Sequence, residues 1–84
     1  MFMKWMISIT FNPEQQASIA PLVPAEREHV QQLMAKKELE AIYISNDRLA
    51  VWLVMPGNSR EEVEQALKAF PLYPYMHYAL TSLS

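Results

Sequence analysis

Between Lys4 and Phe11 apolar and polar residues alternate, with Trp5, Ile7, Ile9 and Phe11 on one side and Lys4, Met6, Ser8 and Thr10 on the other. A period of two predicts a strand. Asn12-Pro13 ends it. Pro13, Pro21 and Pro24 then prevent a continuous helix across the connecting loop from Asn12 to Pro24, although Asn12 is placed to cap a short turn running to Ile19. A helix is predicted from about Pro24, because proline suits a first helical turn and Glu26 and Glu28 favour the positive end of the helix dipole. Val30, Leu33 and Met34 form its apolar stripe, and Glu26 falls one turn earlier on that stripe.

Leu39 to Ser45 and Arg48 to Met55 are β-rich runs separated by Asn46-Asp47, a pair that tolerates positive φ and predicts a two-residue hairpin turn. Both faces of the second run are apolar: Leu49, Val51, Leu53 and Met55 on one, Ala50, Trp52 and Val54 on the other. Neither face is suited to bulk water. Pro56-Gly57 ends this strand, and Ser59 with Glu62 makes a capping box for a helix carrying Val63, Ala66, Leu67 and Phe70 at i, i+3, i+4 and i+7. Tyr75 to Leu83 reads as a closing strand. The order strand, helix, strand, strand, helix, strand predicts a ferredoxin-like α+β domain, βαββαβ, with a four-stranded antiparallel sheet and both helices on one face. The apolar opposite face then calls for a second copy, so that two sheets face to face make a dimeric α+β barrel.

Composition supports that expectation. Eighty-four residues make one domain, 1–84, and a monomer of this size buries only about 60% of the surface its unfolded chain exposes. Yet 51% of the residues are hydrophobic, more than one small core readily conceals. A homodimer or larger homo-oligomer is therefore expected. A net charge of −2 with mixed signs offers no basic footprint for nucleic acid or an anionic membrane, and the apolar start is too short to span a bilayer. With no cysteine there is no disulfide or thiolate metal site, and a reducing cytoplasm is the default location.

Few residues offer chemistry. The lone glycine excludes Gly-rich phosphate loops, and no nucleophile motif is present. His29 and His77 lack metal-ligand spacing; they read as a solvated helix residue and a residue at the sheet edge or interface, and no metal site is expected. Glu26 stands out, because a carboxylate on an apolar stripe can point into a dry cavity where desolvation raises its pKa toward that of a proton carrier. The plainer reading is a first-turn glutamate facing water. Tyr43 and Trp52 sit on neighbouring strands and either line a small pocket or belong to core or interface. Arg48 opens a strand beside the turn, as a surface charge or as a two-pronged anchor for a substrate carboxylate.

Phe70-Pro71-Leu72-Tyr73-Pro74-Tyr75-Met76 places two prolines and three aromatics between a helix and a strand, a stiff junction that presents its rings in a defined direction. Together with Glu26-Arg27-Glu28, Gln31, Leu33 and Trp52, it resembles the muconolactone isomerase family over nearly the whole chain. The resemblance implies the same ferredoxin-like dimer, which in the family can build larger rings. It also implies cofactor-free migration of a double bond in an unsaturated lactone acid of aromatic catabolism, with Glu26 at the position of the family's proton carrier. Arg48 stands where the family has a histidine, Ile44 and Val51 where it has polar residues, and Lys37 where a glycine is expected after the first helix. Arginine does not titrate near neutrality and cannot serve as that histidine's acid or base.

Two functions follow as expectations. In the first, the protein is an isomerase-like enzyme acting without cofactor by proton transfer on a small unsaturated lactone or organic acid. Glu26 is acid/base, Arg48 holds the carboxylate, and Tyr43 and Trp52 shape a cavity between the sheet and the first helix. In the second, it is a non-catalytic binding or accessory barrel that keeps the cavity and has lost the chemistry.

Overall fold

A computed structural model describes residues 3–83; Met1, Phe2 and Ser84, the ends of the domain read as 1–84, lie outside the described residues. Strand β1 (Lys4–Thr10) is followed by three short helical turns: Pro13–Gln15, α1 (Gln16–Ile19) and Ala20–Leu22. These run directly into α2 (Val23–Ala35). Strands β2 (Ala41–Ile44) and β3 (Ala50–Pro56), helix α3 (Arg60–Leu67), a 3-10 turn at Tyr73–Tyr75 and β4 (His77–Leu83) complete the chain. The sheet order is β2-β3-β1-β4 and every neighbouring pair is antiparallel. This is the ferredoxin-like arrangement expected from the order of elements.

The segment after β1 is more helical than its prolines imply, because each proline falls in a first turn where no N–H is needed. The Asn12 side chain accepts from the Glu14 N–H at 2.9 Å, as its capping position predicts. At the far end of α2, Lys37 adopts φ 61°. The Glu38 N–H reaches the Leu33 carbonyl at 2.8 Å and the Lys37 N–H reaches that of Met34 at 3.1 Å. This is a Schellman closure, and its left-handed residue is the reason a glycine is expected at this position. The Ser59 hydroxyl caps α3 by accepting from the Glu62 N–H at 3.2 Å, while Glu62 accepts from the Asn58 N–H at 3.1 Å. Helix α3 stops at Leu67 rather than running to Phe70, whose buried ring belongs to the junction.

The hairpin has its turn at Asn46-Asp47, as predicted, closed by the Arg48 N–H on the Ser45 carbonyl at 3.0 Å, but the strands do not pair directly beside that turn. The strands part at Ile44 and Ala50, the Ser45 N–H still reaches the Ala50 carbonyl at 2.9 Å, and side chains add further bonds within the loop. Asp47 accepts from the Ser45 hydroxyl at 2.6 Å and from the Leu49 N–H at 2.9 Å, and the Ala50 N–H donates to the Ser45 hydroxyl at 3.0 Å. The wider loop is completed by Arg48 at φ 63°, a left-handed conformation that a β-carbon disfavours.

One sheet face carries the core. Trp5, Ile7 and Ile9 of β1 and Leu53 and Met55 of β3 pack with Val63 and Leu67 of α3 and with Ile19, while Val30 and Leu33 of α2 lie against this cluster. Met34, placed by periodicity on the α2 stripe, is instead 43% exposed at the edge of that stripe. The other face has no helix over it. In the register of the sheet, Tyr43 lies beside Trp52, Trp52 beside Ser8, and Ser8 beside Ala79. Val54 and Met6 flank that row. Tyr43 is 63% and Trp52 39% exposed there.

Candidate active site

Between the sheet and the α1–α2 segment lies a cavity of about 720 Å³. Its volume is that of a small-molecule site. Ile9, Ile42, Val51 and Leu53 form the sheet wall, Ile19 and Val30 the helical wall, and Phe70, Leu72 and Met76 of the junction a third side. Polar groups enter from three places: Gln16 from α1, Glu26, Arg27 and Gln31 from α2, and Ser45, Asn46 and Arg48 from the β2–β3 loop. Glu26 is the only carboxylate among these lining residues.

The location of Glu26 follows from α2 itself, which turns its Glu26–Val30–Leu33 stripe toward the sheet. Burial raises the proton affinity of the Glu26 carboxyl above its ordinary value of 4.5, and a hydrogen bond from the Leu72 N–H, at 3.1 Å to Oε1, partly opposes that rise. The result is a carboxylate fixed in direction but left incompletely solvated, the environment that moves an acid toward the range useful for proton exchange. Arg48 reaches the same cavity from the opposite wall. Its left-handed backbone and the Asp47 bonds on either side of it set the direction from which the side chain starts. Those bonds also hold the Asp47 carboxyl below its ordinary range, first through the Ser45 hydroxyl and then through the Leu49 N–H. Neither Arg27 nor Arg48 has a carboxylate partner among the described ion pairs, which join Lys4 to Glu40 and Arg60 to Glu64.

Thus Glu26 and Arg48 share one cavity, and Tyr43 and Trp52 stand elsewhere. Their placement in the cavity is corrected by parity: Ile42, Ile44, Val51 and Leu53 point toward the helices, so the residues between them in sequence point away. Both faces of β3 are apolar, so its composition carried no signal of which side would receive α2. Gln16, Arg27, Gln31, Ser45 and Asn46 were not singled out as lining groups from the sequence; for Arg27 and Gln31 the i, i+4 spacing beside the Glu26 stripe was the available sign. The Leu72 N–H had no such sign, since a backbone donor 46 residues away is brought to Glu26 by the chain's return alone.

His29 is half-buried rather than solvated. Its ring meets Phe70 edge to face at 4.7 Å, and its Nε2 is buried without a hydrogen-bond partner. His77 is exposed at the start of edge strand β4. Among the described residues no three His, Asp or Glu side chains come together as metal ligands, and no helix is long and apolar enough to cross a membrane.

The family model for muconolactone delta-isomerase matches residues 3–84. The chain belongs to the muconolactone delta-isomerase family. No curated protein matches it in sequence. Among solved structures it is similar to a 5-chloro-2-hydroxyhydroquinone dehydrochlorinase from Burkholderia phenoliruptrix AC1100, in complex with 2,5-dihydroxybenzoquinone. The TM-score is 0.81 at 14% identity, over 98% of this chain and 94% of that one. It is also similar to a muconolactone isomerase, with a TM-score of 0.77 at 23% identity, over 96% of this chain and 88% of that one. At these identities the structural likeness is one of fold. Of the four positions at which the resemblance implies a different residue, Ile44, Arg48 and Val51 line the cavity of this muconolactone delta-isomerase family member, whereas Lys37 lies just past the end of α2.

Proposed function

We propose that this protein is an enzyme of the isomerase type, transferring a proton without a cofactor on a small unsaturated lactone or organic acid. The observation that carries the reading is Glu26: one carboxylate, half-buried in an otherwise largely apolar cavity, raised in proton affinity by that burial and aimed by the Leu72 N–H. In this reading Glu26 takes a proton from a carbon made acidic by a neighbouring carbonyl and returns it to another carbon of the same conjugated system. A carboxyl whose proton affinity is raised by burial can act as base and then as acid, which suits both halves of that exchange. Arg48 holds the substrate carboxylate through paired hydrogen bonds, and unpaired Arg27 adds positive potential on the same wall as Glu26. The similar solved structures support a small cyclic, oxygenated substrate, since one protein is a muconolactone isomerase and the other a dehydrochlorinase holding a dihydroxybenzoquinone.

The test is exchange in deuterated water. Muconolactone and related unsaturated acids, incubated with the protein in D2O, are expected to incorporate deuterium at carbon, and Glu26→Gln is expected to slow this by about 10²-fold or more. Equal exchange in wild type and Glu26→Gln would remove Glu26 from the role.

A second reading has its own observation. Ile44 and Val51 make the hairpin wall apolar, and Arg48, which does not titrate near neutrality, stands where the resemblance implies a histidine. These changes favour a small-molecule-binding or accessory protein without turnover. Saturable binding of the same acids with no exchange in any of them would select this reading.

Both readings place the protein in the cytoplasm and include a homodimer. Tyr43, Trp52, Val54 and Met6 form an apolar patch on the face that the helices leave uncovered, and a twin sheet of the same twist and composition is the partner that fits it. Tyr43 and Trp52 then serve the interface between copies.

A further inference from the structure

A second cluster of titratable side chains adjoins the proline-rich junction through Tyr73. The Tyr78 hydroxyl, on the core-facing side of β4, donates to Glu64 Oε2 of α3 at 3.2 Å. Arg60 approaches the other oxygen of Glu64 at 3.5 Å. The ring of Tyr73 leans on that of Tyr78 with centroids 6.1 Å apart. Tyr73 follows Leu72, whose N–H is the donor to Glu26. Within the junction the Tyr73 N–H bonds the Phe70 carbonyl at 2.9 Å and the Tyr75 N–H bonds that of Leu72 at 2.9 Å, while Phe70 and Leu72 are buried in the core. A continuous set of contacts therefore runs from Arg60 through Glu64, Tyr78 and Tyr73 to Leu72 and Glu26.

We propose that Tyr78 is a positioning residue for Glu26, acting through Tyr73 to hold the Leu72 N–H on the carboxylate. Two rigid elements, α3 and β4, are clamped by the Tyr78–Glu64 bond, and the Tyr73 ring rests on that clamp. The prolines on either side of the Leu72-Tyr73 pair make this segment stiff, so a displacement of Tyr73 passes to Leu72 instead of dissipating in the loop. The environment of Tyr78 agrees: its hydroxyl is pushed up to about 12, first by Tyr73, then by burial and Glu64, so it remains a donor at any working pH.

The other charged groups around Glu26 are Arg48 from the loop and Arg27 on its own helix, with His29 one turn along against Phe70. The sheet wall contributes only apolar side chains. None of these groups is bonded to the Tyr78 clamp, and the Tyr73-Leu72 junction links that clamp to Glu26. For its bearing on turnover this rests on the proton-transfer reading of Glu26; for its bearing on proton affinity it does not.

The experiment is a carbon-13 NMR titration of the Glu26 carboxyl in the full chain, with thermal melting of each variant alongside. In Tyr78→Phe and in Glu64→Ala the Leu72 N–H loosens, the anion loses its donor, and the Glu26 midpoint is expected to rise by up to roughly one pH unit, tenfold in proton affinity. Glu64→Gln keeps an acceptor for Tyr78 and is expected to leave the midpoint near wild type. The sign is diagnostic, because loss of the Glu64 charge by itself lowers the proton affinity of a nearby carboxyl. The double variant is expected to shift no further than either single one. A lowered melting temperature with an unmoved Glu26 midpoint in Tyr78→Phe would overturn the proposal and leave Tyr78 a structural clamp only. Should Tyr78→Phe not fold, Tyr73→Ala, which removes the ring that transmits the contact, decides on the same midpoint. Failure to find turnover would refute the enzymatic reading while leaving the titration result to stand.

Discussion

Gly57, the only glycine of the chain, provides a quantitative test of how α3 is seated on the sheet. A β-carbon added to it lies 2.6 Å from Cγ2 of Val63. Carbon atoms pack at about 3.5–4.0 Å, so alanine here requires a displacement of about 1 Å. Val63 is 1% exposed and β-branched, with little freedom to turn its methyl aside within a helix. The first turn of α3 must therefore lift from the end of β3, where the Gly57 carbonyl also accepts from the Trp5 indole at 3.1 Å. No positive φ is involved at Gly57, so the effect is one of space alone. Overpacking of this kind costs about 2 kcal/mol, which in a domain of this size lowers Tm by about 8–16 °C. Calorimetry at a fixed protomer concentration measures it for Gly57→Ala, Val63→Ala and the double variant. Because Val63→Ala removes the clashing methyl, the double variant is expected to be more stable than the sum of the two single losses. Strict additivity, or a Tm for Gly57→Ala equal to wild type, would refute the reasoning.

Glu26 carries a stability cost that depends on pH. Its folded pKa is raised, so its contribution favours folding below the ordinary value of 4.5 and is lost as pH rises through the folded value; above that the buried anion is a burden. Urea titration is accordingly expected to show Glu26→Gln more stable than wild type at pH 7, with the gap closing at pH 4; a gap that widens toward acid would contradict the sign. Lys37 holds a left-handed φ of 61°, and Lys37→Gly relieves a strain of about 1 kcal/mol, part of which the greater freedom of unfolded glycine offsets. A small rise in Tm is expected, and a fall would show that the lysine side chain contributes more than the strain removes. On the uncovered sheet face, Trp52→Glu is expected to give a monomer in sedimentation velocity without loss of the fold by circular dichroism. A wild-type protein that is already monomeric at the same micromolar concentration would end the dimer proposal.

Much of the fold was legible because it is written in local periodicities. The alternation of Lys4–Thr10 gave β1, the Ser59–Glu62 box gave the start of α3, and the second apolar run gave a strand fit for the sheet's interior. The boundaries that moved did so where side chains took over backbone roles. Ser45 and Asp47 opened the hairpin into a longer loop, and prolines in first turns allowed helical geometry across a segment that reads as a connector. In the candidate site, Glu26 was visible from its place on the apolar stripe and Arg48 from its place at the turn.

The set of elements, their order, and which residues of each share a face are therefore encoded locally, since these depend on repeats of two or 3.6 residues within one segment. Only the tertiary structure decided which of two apolar faces of β3 meets α2, sending Tyr43 and Trp52 outward, and which distant backbone group meets Glu26. The reason is physical: burial is satisfied equally by helices or by a partner on either face of an apolar strand, and a hydrogen bond across 46 residues depends on where the chain returns, which no local pattern encodes.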